Sequence, residues 1–355
     1  MEAISSWASF ARLTDQVFAT QTRLDLVHRQ IGSGKVAQTF GGLGAATPAS
    51  IDGRAALGEI DSFQRAIVQT ESRLTVMQTV LDRLGAIAGE GIERVIQQFG
   101  VFPPPLAVLN DEANTLLEEV RTLLNTAVDG DYLFNGRRTQ EPPVPAAISI
   151  SGLYAGIQAA LGSLAPGNAA TVIATTFSLA SSNASGVTPF SSYLSAPPGL
   201  TEARLSVRVD IGFEVAWGVK ANANGAAVSD PPTTGSAVRD LIRGLTILAN
   251  VNEAQRTAAP DDFRQVLESV RAGLASAKAA LAAEAGALGE TQKLLEATRS
   301  RHEDLRIVFE KQIGDAEDAD LGELSIRRSL LQSQLEASFR IIASLRELTL
   351  ARFLG

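Results

Sequence analysis

Ala3, Phe10, Val17, Leu24 and Ile31 follow one another at steps of seven at the start of the chain. Near its other end Leu321, Leu324, Leu331, Leu335, Ile342, Leu345 and Leu348 recur in combinations of three and four. Such spacings lay an apolar stripe along a long helix. An isolated amphipathic helix buries too little to offset its ordering entropy. Neither stripe has an obvious local helix to cover it, so the two must meet each other or meet other chains. That requirement limits the available folds more than any other feature of the sequence.

Between the ends the pattern changes twice. The first helix stops at Gly32-Ser33-Gly34, and residues 40–56, with Gly41, Gly42, Gly44 and Pro48, read as a loop. A second helix begins near Leu57, with Ile60, Ile67, Leu74, Leu81, Ala88 and Val95 at steps of seven, weakened by Gly85, Gly89 and Gly91 and stopped by Gly100 and Pro103-Pro104-Pro105. A third carries Leu109, Ala113, Leu116, Val120, Leu123 and Ala127 and closes at Asp129-Gly130. From 141 to 235 charges thin out and Gly, Ser, Thr, Pro and Ala dominate. Residues 205–219 alternate apolar and polar, the strand period, with Gly212 placed to turn the run into a hairpin. This stretch reads as a β-rich domain with its own core, joined through Pro142-Pro143 and Pro231-Pro232 and removable from the helical part. Helical periodicity then returns over 236–251 and again after Pro260-Asp261-Asp262 to about Gln312, where Gly314 and the acidic run Asp315 to Asp320 break or cap it.

The side chains that do chemistry are scarce. The 355 residues include no cysteine and two histidines, His28 and His302, against thiolate sites, zinc and histidine catalysis. A net charge of −8 argues against a nucleic-acid binder. No apolar run is long enough to span a membrane, and charges interrupt the start of the chain where a cleaved signal would need an apolar stretch. Ile31-Gly32-Ser33-Gly34-Lys35 lacks the first glycine and the final Ser or Thr of a phosphate loop, having Arg29 and Val36 there. His302-Glu303-Asp304 has no second histidine at helical spacing, and a calcium loop begun at Asp315 would place Ile326 where a glutamate is needed. Asn183-Ala184-Ser185 spells a glycosylation acceptor, which matters only in a compartment that glycosylates. The expectation is a non-enzyme without cofactor or metal.

Several short segments, in order, resemble the flagellin family of bacterial flagellar axial proteins. Gln30-Ile31-Gly32-Ser33-Gly34-Lys35 looks like that family's "Q-I-x-S-G-K" helix end, although of the loop that follows only Pro48 is recognisable. Residues 57–91 are similar to its first long core helix. Asp131-Tyr132-Leu133-Phe134-Asn135-Gly136-Arg137-Arg138-Thr139 with Pro142-Pro143 resembles the "Y-L-F-x-G-x-x-T…P-P" signature of its hook–filament junction members. Ala316-Glu317-Asp318-Ala319-Asp320-Leu321 looks like the "I-E-D-A-D" that opens its terminal helix. The resemblance covers 1–140 and 236–355.

It implies a mainly α fold with a β-rich insert: an antiparallel, coiled-coil-like helical rod built from both termini. The parts would be a terminal helix 1–40, rod halves 41–140 and 236–311, a variable domain 141–235 and a terminal helix 312–355. It further implies a structural protein outside the cell, exported through the flagellar type III channel without a cleaved signal. Its partners would be an export chaperone, other copies, and the neighbouring hook, junction and filament proteins. It would join hook to filament; the alternatives are the filament subunit itself or a secreted coiled-coil adaptor that does not polymerise. The assembly interface is assigned to Phe10, Val17, Leu24, Ile31, Leu324, Leu331, Leu335, Ile342 and Leu345. A charge at Leu331 is accordingly expected to block assembly while leaving monomer helicity nearly intact.

Overall fold

The computed structural model describes residues 2–229 and 232–354, with side chains for 11–229 and 232–344. Pro231, expected in a joining loop, lies outside the described residues. The fold is mainly helical with two small antiparallel sheets. It divides into two compact units, residues 1–62 with 301–355, and residues 63–300.

The first unit contains α1 (Glu2–Ser33), the start of α2 (Thr47–Gln98), the end of α9 (Pro260–Glu317) and α10 (Leu321–Leu354). α1 ends as its glycines dictate: Gly34 takes φ +68, and its N–H bonds Gln30 O at 2.8 Å, closing the last turn. The expected loop over 40–56 is shorter. A 3-10 turn occupies Phe40–Ala46, and α2 is already helical from Thr47, with Pro48 in its first turn, where a missing N–H does no harm. Gly53 of α2 faces Ile313 of α9 so closely that a β-carbon there would come within 2.9 Å of Ile313 Cγ1.

The second unit is built around α7 (Ala237–Asn250), which is buried on every side from Ala237 to Ala249. α2, α3 (Leu106–Leu124) and α9 supply Leu74, Leu81, Leu84, Leu117, Leu124, Leu267, Leu274 and Leu281 to the surrounding core. The glycines of α2 do not break it; they admit a neighbour. Leu274 of α9 sits between Gly91 of α2 and Gly244 of α7, whose β-carbons would lie 2.8 and 2.7 Å from its methyls. Gly244→Val is therefore expected to destabilise this unit by about 2–3 kcal/mol, because overpacking outweighs any gain in helix propensity. A drop in the thermal midpoint checks it; an unchanged or raised midpoint would contradict it.

Asp129-Gly130 does not close α3, which stops at Leu124. The pair forms the turn of a hairpin, β1 (Ala127–Val128) with β2 (Asp131–Tyr132), and both residues take positive φ, 54° and 85°. This is the backbone of a type I′ turn, for which Asp-Gly is suited.

Residues 141–235 are not β-rich. Among the described residues they hold α4 (Gly152–Gly162), α5 (Ala169–Ser181), α6 (Ser192–Ser195) and one hairpin, β3 (Leu205–Asp210) with β4 (Phe213–Trp217). Gly212, φ +71, turns the hairpin, as its position in the alternation suggested. The helices follow from period rather than composition. Leu153, Ile157 and Leu161 step by four, and Val172, Thr176 and Ala180 do likewise. Ser151 caps α4, and both oxygens of Asp262 on α9 accept N–H groups at the start of α5, from Gly167 (2.9 Å) and Ala169 (2.8 Å).

Nor does this stretch have a core of its own. Ile157, Leu161, Val209, Val215 and Trp217 belong to the same apolar cluster as α2, α3, α7 and α9. Short α8 (Glu253–Ala258), with a capping box between Asn252 and Gln255, links α7 to α9.

Candidate assembly surface at the paired termini

The terminal stripes meet within the chain. α1 and α10 run antiparallel, with Val27, Leu324 and Leu331 buried between them and Leu24, Ile31 and Ala319 packed alongside. Val17 is also buried, and Leu335 and Ile342 are half-buried. The side chains of Phe10, Leu345 and Leu348 lie outside the described residues. The substitution at Leu331 is thus corrected: that side chain is 7% exposed inside the chain's own helix pair, so a charge there breaks the pair itself.

The pair is closed by a clasp between two segments 283 residues apart. Lys35 and Asp318 form an antiparallel bridge, Val36 N–H donates to Glu317 O (2.7 Å), and Ala319 N–H donates to Gly34 O (2.9 Å). Lys35 Nζ reaches Asp318 Oδ1 at 2.5 Å, a contact that raises its pKa. Lys35 therefore has carboxylate partners in the place where a phosphate loop would have bound phosphate. Asp320 Oδ1 accepts the N–H groups of Gly322 and Glu323 and so caps α10.

Glu317 sits at the centre of the clasp. Arg54 holds its carboxylate with two bonds, Nε to Oε1 at 2.8 Å and Nη2 to Oε2 at 2.7 Å, and Ser50 adds a third at 2.6 Å. These bonds pull the Glu317 carboxyl down to about 2 from its ordinary 4.5. A depressed acid stabilises the fold above its unfolded pKa and ceases to as pH falls through its folded one. Amide protection at Val36 and Ala319 is therefore expected to be full above pH 4.5 and to fall away towards pH 2. Glu317→Gln should lose about 1 kcal/mol of that protection at neutral pH, a modest figure because Arg54 and Lys35 stand half in solvent. Protection that is flat between pH 5 and 2 would contradict the assignment.

α10 carries a second apolar face that the stripe reading missed. At about 100° per residue, Leu331, Leu335 and Ile342 lie within roughly 20° of Leu324 around the helix. Ile326, Leu330, Ala337 and Ile341 fall roughly 200–260° away, on the far side. That far side is open: Ile326 is 73%, Leu330 66% and Ile341 48% exposed. Phe18 and Leu26 are likewise exposed on α1, away from its buried stripe. The signal was present as steps of four, seven and four from Ile326 to Ile341, hidden because one helix carries two stripes.

Among the described residues, no helix is long and apolar enough to cross a membrane, and no group of three or more His, Cys, Asp or Glu could hold a metal. His302 is buried on α9. No protein-family model matches the chain, and no curated protein matches it.

Proposed function

We propose that this chain is a structural subunit that assembles with copies of itself, and with related subunits, through the outer face of its paired terminal helices. The observation that carries the reading is the two-faced α10: one apolar face satisfied by α1, the other presented to solvent. A helix apolar on opposite sides suits the interior of a larger helical assembly. The clasp is consistent with this, since it unites the two motifs, Gln30–Lys35 and Ala316–Leu321, whose spelling resembles that of flagellar axial proteins. In this reading the protein works outside the cell in the bacterial flagellum. It is exported unfolded with the help of a chaperone and has a mechanical rather than catalytic role. The finer assignment, joining hook to filament, rests on Tyr132–Thr139 and Pro142-Pro143.

The test compares the full chain with one lacking 1–40 and 321–355, by sedimentation across concentration and by electron microscopy with purified hooks added. The full chain should associate and decorate hook ends; the shortened one should stay monomeric and still melt cooperatively. Filaments growing without hooks would favour the filament subunit over the junction. A full chain that stays monomeric and binds no hook would overturn the proposal and leave the non-polymerising adaptor.

A further inference from the structure

Phe102 is the most exposed large apolar side chain among the described residues, at 92%, and Val101 beside it is 88% exposed. The two form the turn between α2 and α3. Phe99 N–H bonds to Ile96 O (3.0 Å) and Gly100 N–H to Gln97 O (3.2 Å), so α2 ends in tight turns just before them. Pro103-Pro104-Pro105 follow, each with φ fixed by its ring, and Gln98 Nε2 donates to Pro104 O (3.2 Å). Leu106 then anchors α3 in the core. Val101 and Phe102 are therefore held out in water by a stiff loop tied down at both ends. A single exposed apolar residue is ordinary, but an adjacent pair on a preorganised loop loses little freedom on docking.

The same unit carries a recess to match. A groove of about 640 Å³ lies between Ile173 and Phe177 of α5 and Ala272, Ala275 and Ala279 of α9. The three alanines are exposed, and their small side chains leave the groove wide. None of its lining residues is ionisable, and neither is any residue from Phe99 to Pro105. Loop and groove can thus join without stranding a charge. They do not meet within one copy. Arg264 of α9 lies over the ring of Phe99 at the root of the loop, 5.3 Å from its centroid. Ala275 is roughly 16 Å farther along that helix. No residue from 99 to 105 lines the groove.

We propose that the Val101-Phe102 loop of one copy docks in the α5–α9 groove of a second copy. For its partner this rests on the assembly proposed above. Buried area decides for a second copy. One aromatic side chain buries about 150–250 Å² and a valine adds less, whereas a stable pair of proteins buries about 800 Å² on each partner. A foreign protein held only here would dissociate readily. A copy already tethered by its terminal helices meets the loop at high effective concentration, where a small contact suffices. Because loop and groove are different patches, each copy gives its loop to one neighbour and its groove to another. The contact then repeats head to tail instead of closing a pair.

The chain contains no cysteine, so introduced thiols report on this contact alone. Full-length Val101→Cys is mixed with Ala272→Cys, Ala275→Cys or Ala279→Cys and oxidised. At one or more of the groove positions the mixture should give disulfide-linked dimers. Val101→Cys alone, or mixed with the exposed Lys293→Cys elsewhere on α9, should give about tenfold fewer. A chain carrying both the loop and the groove cysteine should give a ladder of covalent multimers. Phe102→Ser should keep the thermal midpoint and weaken association in sedimentation by about tenfold or more, as loss of an aromatic anchor predicts. Ala272→Trp, which fills the groove from an exposed position, should do the same. The proposal is overturned by mixtures that cross-link no better than the Lys293→Cys control, by Val101→Cys pairing as well with itself, or by Phe102→Ser associating like the unaltered chain. Association without loop–groove cross-links would remove this contact and leave the assembly; cross-links in a chain that sediments as a monomer and binds no hook would leave this contact and remove the assembly.

Discussion

Leu330→Asp is expected to leave the folded monomer almost untouched and to abolish self-association, while Leu331→Asp, one residue on, destroys the monomer's own terminal pair. The two positions differ in what covers them. Leu330 is 66% exposed, and a surface substitution of that kind changes monomer stability within about 0.5 kcal/mol. In an assembly that buries the outer face, the same carboxylate has no partner, and association should weaken by roughly a hundredfold or more. Leu331 is buried against Val27 and Leu324, so a carboxylate there costs about 3–5 kcal/mol within the chain. Circular dichroism with sedimentation separates the cases: Leu330→Asp keeps full helicity and loses association, whereas Leu331→Asp loses helicity first. If Leu330→Asp associates like the unaltered chain, the outer face of α10 is not the assembly surface.

Joining residue 140 to residue 236 through a short flexible linker is expected to unfold the second unit. The removed stretch supplies Ile148, Leu153, Ile157, Leu161, Phe190, Leu194 and Trp217 to the shared core. Truncating even one large apolar side chain in such a place costs about 2–5 kcal/mol, against a total stability of about 5–15 kcal/mol for a domain. Polar ties go with them. Arg239 donates to Ala180 O and Asn222 O, Glu284 Oε1 accepts the N–H groups of Gly225, Ala226 and Ala227, and Asn125 Nδ2 donates to Val144 O. Arg239 and Glu284 would be left buried without partners. Thermal melting followed by far-ultraviolet circular dichroism, with a dye for exposed apolar surface, checks this. A sharp transition near that of the full chain would show the middle to be dispensable.

The long helices were legible because their periods are long. Seven-residue steps persist through α1 and α2, and Gly34 ends α1 at the position where its backbone needs positive φ. The 205–217 hairpin was legible for the same reason, with alternation sustained on both sides of Gly212. What misled was composition. Ser, Thr and Gly between 151 and 181 looked strand- and turn-like, yet Leu153, Ile157 and Leu161 already had helical spacing over a capping serine. Asp129-Gly130 has two structural uses, helix stop and hairpin turn, and sequence at that point does not distinguish them. At the termini, seven of the nine residues assigned to the interface have described side chains, and these line the inner, intramolecular face; Phe10 and Leu345 are the other two. The outer face needed the structure, because only packing shows which of two stripes on one helix is already taken. The Glu317 clasp was beyond reach because its partners, Lys35, Ser50 and Arg54, are remote in sequence and ordinary in spelling.

The clasp also dictates an order of events. Lys35 and Asp318 are 283 residues apart, so α1 is finished long before anything exists for it to pair with. At about 5–20 residues per second of synthesis, on the order of 15–60 s elapse before the other half of the clasp is made. Throughout that interval Val17, Leu24, Val27 and Ile31 form an apolar strip with no native cover. Closing the loop afterwards carries the entropic penalty of a very long connection, so pairing of the ends should come late, after the local helices have formed. The beginning of the chain is thus, for much of its early life, a helix in search of a partner, and whatever binds it then competes directly with the chain's own last helix.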